Sequence, residues 1–168
     1  TDVIKLASNE NPLGASPKAI EAVREAASAV HLYPDGSCHE LRRALAKKLD
    51  VSGESIVFGC GSDESIRLVA ETFVGPGDEV LFGEITFSQY EFVTHVAGGT
   101  CVTVPMKNMQ LDLKAMRERV TPRTKLVYIA NPNNPTGLMV PKSELDAFID
   151  SLPDHVTVVL DEAYYEYV

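Results

Sequence analysis

Tryptophan is missing altogether, cysteine is scarce, and no stretch of the chain is strongly basic. Cys38, Cys60 and Cys101 are odd in number, widely scattered and form no Cys-x-x-Cys pair, which excludes a disulfide framework and a structural zinc site and fits a reducing compartment. His31, His39, His95 and His155 show no metal-ligand spacing, so surface or packing roles are expected for them, and no metal. Twenty-four carboxylates against fifteen Lys and Arg leave a formal charge of -9. Nucleic acid is therefore excluded as a partner, because that affinity comes largely from cationic side chains neutralising phosphates. No apolar run approaches the ~20 residues of a membrane span, and the first residues lack the basic patch and apolar stretch of a secretory signal. A soluble, cytoplasmic protein without a membrane partner is expected.

What is present is an apolar fraction of 45% in 168 residues, enough for one well-buried domain. The first fourteen residues, TDVIKLASNENPLG, are polar and turn-rich and read as an arm. Ser16-Pro17 supplies an N-cap and a first-turn proline, and apolar residues at helical spacing follow as far as His31. After the loop LYPDGS, Ser37 with Glu40 has the signature of a capping box ahead of Leu41, Leu45 and Leu49.

From residue 55 onward, short apolar runs alternate with helical stretches. Strands are expected at 55–58, 79–82, 100–104, 125–130 and 156–160, and helices at 62–74, 87–97, 113–120 and 141–152. Strands separated mostly by helices imply an α/β fold, a largely parallel sheet with helices on both faces. Such sheets bind ligands beyond the carboxyl ends of their strands. Three unusual loops fall there: GCGSDE at 59–64, NPNNPTG at 131–137 and DEAYYEY at 161–167.

Each loop has a chemical reading and a plainer one. GCGSDE turns a strand into a helix whose first free amides and dipole favour a phosphate, yet it is neither a Walker loop nor a GxGxxG fingerprint, and a capped helix after a tight turn fits as well. Asp161 follows a buried strand, where a carboxylate calls for a cationic counterpart. A protonated pyridine nitrogen is one candidate, since a carboxylate in that position holds pyridoxal phosphate as an electron sink, and Tyr164 could then reach the phenolic oxygen. A structural Asp capping the next turn is the other reading. The two X-Pro steps of NPNNPTG make a stiff loop that can aim its Asn side chains, or simply a structural turn.

Taken in order, NENPLG at 9–14, YPDG at 33–36, GSDE at 61–64, NPNNPTG at 131–137 and DEAYYEY at 161–167 resemble the histidinol-phosphate aminotransferases, fold-type-I pyridoxal-phosphate enzymes of aminotransferase class I/II. The resemblance implies an N-terminal arm, first helix and YPDG loop over residues 1–36, and part of the cofactor-binding large domain over 37–168. It implies that amides around Ser62, Asp63 and Glu64 hold the cofactor phosphate, that Tyr90 stacks on the pyridine ring, and that Asn134 and Tyr164 bond its phenolic oxygen. Asp161 would pair with the ring nitrogen. Tyr33 would reach the cofactor phosphate of the partner subunit, making a homodimer, and Asn9, Glu10 and Asn11 would close over substrate. The family has Pro where Ile85 stands and Asn or a similar residue where Cys60 stands; neither change removes a proposed side-chain contact.

In that family the lysine that forms the Schiff base follows the DEAY strand by a few tens of residues, in a Ser-x-x-Lys context. None of the eight lysines here, Lys5, Lys18, Lys47, Lys48, Lys107, Lys114, Lys125 and Lys142, stands in such a context. The resemblance therefore implies an N-terminal half, inactive alone, of an enzyme that transfers an amino group between L-histidinol phosphate and 2-oxoglutarate. A related amino-acid phosphate decarboxylase, an aromatic aminotransferase and a non-catalytic fragment that binds phosphate or cofactor weakly are the alternatives.

Overall fold

A computed structural model of the chain describes residues 3–5 and 7–168. The chain divides into two units, residues 1–56 and 57–168, so the domain boundary expected at 36/37 falls inside the first. In the arm, the described residues among 3–14 carry turns and no helix or strand, while positions 1, 2 and 6 lie outside the described residues.

Helix α1 spans Pro17–Ala26. The Ser16 hydroxyl accepts from the Ala19 amide at 3.2 Å, satisfying one orphan donor of the first turn, and a 3-10 turn over Ala27–Ala29 ends the helix. Helix α2 spans His39–Leu49, but the expected capping box does not form. Its cap residue, Cys38, lies in the left-handed region with φ 52° and makes no capping bond, and Glu40 pairs with Arg43 instead. Asp35 does the capping from further upstream, accepting from the Ser37 hydroxyl at 2.7 Å, the Ser37 amide at 2.9 Å and the His39 amide at 2.8 Å. The Ser37 hydroxyl, then the His39 and Ser37 amides, hold the Asp35 carboxyl down at about 2.

The strand expected at 55–58 is also absent. Residues Gly53–Ser55 form a 3-10 turn, and the Arg42 guanidinium takes the carbonyls of Gly53, at 2.9 Å, and Ile56. A strand needs a ladder to satisfy its backbone, and here a side chain supplies part of that role.

The second unit holds a four-stranded parallel sheet in the order β2-β1-β3-β4, with β1 at Glu79–Gly83, β2 at Thr100–Val104, β3 at Thr124–Ala130 and β4 at Thr157–Asp161. Helix α3 (Gly61–Phe73) precedes β1, and α4 (Gln89–Val96), α5 (Leu113–Glu118) and α6 (Lys142–Ser151) fill the three crossovers. The central strands are buried on both sides, and their alternate residues feed two cores. Val80, Phe82, Leu126, Tyr128 and Ala130 pack with Ile66 and Ala70 of α3 and Tyr90 and Val93 of α4. Leu81, Val127 and Ile129 pack on the opposite face with Met116 of α5 and Leu145 and Phe148 of α6.

The handedness of crossovers explains that division. The chain steps from β1 outward to β2 through α4, then returns past β1 to β3 and on to β4 through α5 and α6. Right-handed connections running in opposite directions must lie on opposite faces. The reversal falls between β1 and β3, so the loops leaving those neighbouring strands diverge and open a crevice at their carboxyl ends.

Candidate active site

The crevice is a cleft lined by Ser62, Phe87, Ala130, Pro132, Asn134, Asp161, Ala163 and Tyr164. Each wall comes from a different element: Phe87 from the loop after β1, Ala130 to Asn134 from the end of β3, Asp161 to Tyr164 from the end of β4, and Ser62 from the first turn of α3.

Asp161 closes β4 opposite Ala130 and is half-buried. Its Oδ2 accepts from the Tyr90 hydroxyl at 2.7 Å and its Oδ1 from the Ala163 amide at 3.1 Å. Tyr90 itself is wholly buried, its ring stacked on Tyr128 with centroids 4.6 Å apart and planes 2° from parallel. Burial first, and then the charge of Asp161, push the Tyr90 phenol far up, so it stays protonated and always donates.

Tyr90, expected to stack on a ligand ring, is wholly buried against Tyr128 and does not line the cleft. Phe87 does line the cleft, and it meets Tyr90 edge-on at 5.9 Å and 90°. Sequence reasoning missed Phe87; the signal that could have found it is its place in the loop directly after β1, three residues before Tyr90 on α4.

The NPNNPTG loop divides its three amides between structure and cleft. Asn131 makes a reciprocal pair with Val140, accepting its amide at 2.8 Å and donating to its carbonyl at 3.2 Å. Asn133, buried, accepts from Thr86 Oγ1 at 2.8 Å and donates to the Ile85 carbonyl at 3.0 Å and to Thr136 Oγ1 at 2.9 Å, which fastens this loop to the one after β1. Asn134 is the amide that lines the cleft.

Of the three positions expected around the phosphate, Ser62 lines the cleft, and Asp63 and Glu64 are exposed outside the lining. Glu64 reaches back to accept the Cys60 amide at 2.6 Å, capping the helix from within. Gly61 opens α3 at φ +77°, a conformation that side chains disfavour, and a Cβ on Gly59 would stand 3.1 Å from the Ser65 amide nitrogen. Tyr164 lines the cleft. Tyr33, Asn9, Glu10 and Asn11 belong to the first unit, where all four are exposed and Tyr33 fully so. No group of potential metal ligands occurs among the described residues.

A carboxylate, an aromatic ring, an amide and a phenol lining one cleft with the first turn of a helix suit a flat heterocycle that is cationic at one point and anionic at another. Comparison with known proteins agrees. A family model for aminotransferase class I and II matches residues 1–168. The chain belongs to the class I and II aminotransferases. It is 53% identical over 167 residues to the histidinol-phosphate aminotransferase of Moorella thermoacetica, covering 99% of this chain and 43% of that one. It is 48% identical over 166 residues to that of Caldicellulosiruptor saccharolyticus, covering 99% and 46%. The structure of the histidinol-phosphate aminotransferase from Sinorhizobium meliloti, solved in complex with pyridoxal-5'-phosphate, matches with a TM-score of 0.91 at 34% identity, over 95% of this chain and 44% of that one. This aminotransferase chain thus spans less than half the length of the curated relatives it matches.

Proposed function

We propose that the full-length protein carrying this chain is a pyridoxal-phosphate enzyme that exchanges an amino group between L-histidinol phosphate and 2-oxoglutarate in histidine biosynthesis. The observation that carries the reading is Asp161, a half-buried carboxylate at the carboxyl end of β4 that lines a cleft with an aromatic wall. The donor set fits the cofactor. Asp161 would oppose the ring nitrogen, Phe87 would cover one ring face in place of Tyr90, and Asn134 and Tyr164 would bond the phenolic oxygen. The amides opening α3, around Ser62, Asp63 and Glu64, would hold the phosphate, with no side-chain cation required there.

When bound, the cofactor supplies a protonated pyridine ring that draws electrons from the substrate's Cα–H bond. The carboxylate of Asp161 keeps that ring positively charged, and the fixed Tyr90 donor and Ala163 amide keep the carboxylate aimed. Phe87 excludes water from one side of the ring. Among the described residues no lysine lines the cleft. On this reading the amine that moves the Cα proton comes from outside the 168 residues, and the chain alone is inactive. Tyr33 would act on the cofactor phosphate of the partner subunit in a homodimer, and Asn9, Glu10 and Asn11 would close over substrate; the exposure of all four supports this. A cytoplasmic location accords with the relatives' biosynthetic role. No described helix is long and apolar enough to cross a membrane.

The test is amino transfer by the full-length protein to 2-oxoglutarate from L-histidinol phosphate and from L-phenylalanine. The reading expects kcat/KM for histidinol phosphate to exceed that for phenylalanine by about tenfold or more. Equal use of both donors, or release of carbon dioxide instead of transfer, would overturn it.

A further inference from the structure

We propose that Tyr90 is the positioning residue of the aminotransferase site, acting through Asp161: its buried hydroxyl fixes the carboxylate in the orientation that meets the ring nitrogen. The inference rests on the function proposed above and adds a residue whose role differs from the stacking expected of it.

The geometry is a chain of two contacts. Tyr128, on β3, is buried in the core, which fixes its ring, while its hydroxyl donates to the Ile66 carbonyl of α3 at 3.1 Å and not to Asp161. Tyr90 lies face to face against that ring at 4.6 Å and has no exposed surface, so its own rotamer is set by packing. The hydroxyl that this packing delivers meets Asp161 Oδ2 at 2.7 Å, 71 residues away in sequence. With Oδ1 held by the Ala163 amide, both oxygens are tied and the carboxylate plane is fixed. Each oxygen keeps a lone pair for a ligand.

A carboxylate free to rotate would divide its time between orientations, and only some of them face a ring nitrogen. Holding it in place before the ligand arrives removes that reorganisation from the reaction. The donor is neutral and buried, so it orients the anion without competing for the ring's charge. A cation in the same position would neutralise Asp161 and defeat its purpose.

The test compares Tyr90→Phe, Tyr128→Phe and Asp161→Asn in the full-length holoenzyme. Tyr90→Phe keeps the stacked ring and removes only the oxygen. It is expected to lower kcat and raise the Kd for pyridoxal phosphate, each by about tenfold, the worth of one hydrogen bond to a charged group, with little change in KM. It should also move the pH at which the absorption band of the bound cofactor changes. Tyr128→Phe removes a buried hydroxyl of the same kind that does not touch Asp161. It should lower thermal stability while leaving kcat, the cofactor Kd and the band's pH dependence as in the wild type. In an Asp161→Asn background, Tyr90→Phe should cost nothing further.

If Tyr90→Phe loses thermal stability as Tyr128→Phe does but keeps kcat, Kd and the band's pH dependence, Tyr90 is only a packing residue and the inference fails. If Asp161→Asn itself binds pyridoxal phosphate and turns over like the wild type, the functional reading fails first. The two failures are therefore distinguishable.

Discussion

Asn133 gives the sharpest link between a single side chain and the shape of the cleft. Its amide group joins the loop after β1 to the loop after β3 through bonds to Thr86 Oγ1 and the Ile85 carbonyl, at 2.8 and 3.0 Å, and braces its own loop through Thr136 Oγ1 at 2.9 Å. Asn133→Ala removes all three. Each is worth about 1 kcal/mol net, and the two hydroxyls can turn to other partners, so the expected local loss is about 2 kcal/mol. The backbone bonds from Gly137 to the Asn133 carbonyl, at 2.7 Å, and from Asn133 to the Leu138 carbonyl, at 2.9 Å, close the same loop and report its opening. In native-state hydrogen exchange of the full-length protein, the Gly137 amide should exchange about 30-fold faster, the equivalent of that free energy. Strand amides of β1 and β3 should be little affected, and pyridoxal phosphate should bind more weakly because Asn134 loses its fixed direction. Asn133→Asp, which keeps the shape but sets a buried carboxylate against the Ile85 carbonyl, should speed exchange at least as much as Asn133→Ala. Unchanged exchange at Gly137 in Asn133→Ala would show that packing alone holds the loop, and the reasoning would be wrong.

Glu79 is buried at the start of β1, where it accepts from the Thr121 hydroxyl at 2.5 Å and from Arg123 Nε at 2.9 Å. The Thr121 bond, aided by Arg123, holds its carboxyl below the ordinary value against the opposing effect of burial. Its folded value lies below the unfolded one, so its contribution is present above about pH 4.3 and lost as pH falls through the folded value. Urea midpoints followed downward from neutral pH should fall on the acid side in the wild type and fall less in Glu79→Gln, which should also be about 2 kcal/mol less stable at pH 7; parallel curves would refute the assignment. Phe87→Ala should raise the Kd for pyridoxal phosphate about tenfold, measured by equilibrium dialysis, whereas an unchanged Kd would show that the wall makes no contact with the ring. Gly61→Ala places a side chain at φ +77° and should cost about 1–2 kcal/mol in thermal unfolding; a neutral result would mean that the first turn of α3 relaxes freely.

The crossover helices and parallel strands were legible because their signal is local: β3 was expected at 125–130 and lies at Thr124–Ala130, and α3 at 62–74 against Gly61–Phe73. The failures involve partners that lie elsewhere in the chain. Residues 55–58 are apolar enough for a strand, yet an arginine, not a neighbouring strand, takes the Ile56 carbonyl. Ser37 and Glu40 have the spacing of a capping box, but Asp35 captures the hydroxyl and two amides first. At the site, Asp161, Asn134, Tyr164 and Ser62 could be read from their loops and all line one cleft. Tyr90 and Phe87 could not be told apart by residue type. Which of two aromatics three residues apart lines the cleft depends on Tyr128, which stacks on Tyr90 from another strand.

The central claim is that this cleft, and Asp161 in particular, holds the ring of pyridoxal phosphate. A crystal structure of the full-length protein with the cofactor bound tests it most directly. The account expects the ring nitrogen at about 2.7–3.0 Å from an Asp161 oxygen, with Tyr90 still bonded to that carboxylate, Phe87 over the ring and the phosphate at the start of α3. A cofactor bound elsewhere, or seated in the cleft with its nitrogen turned away from Asp161, would contradict it.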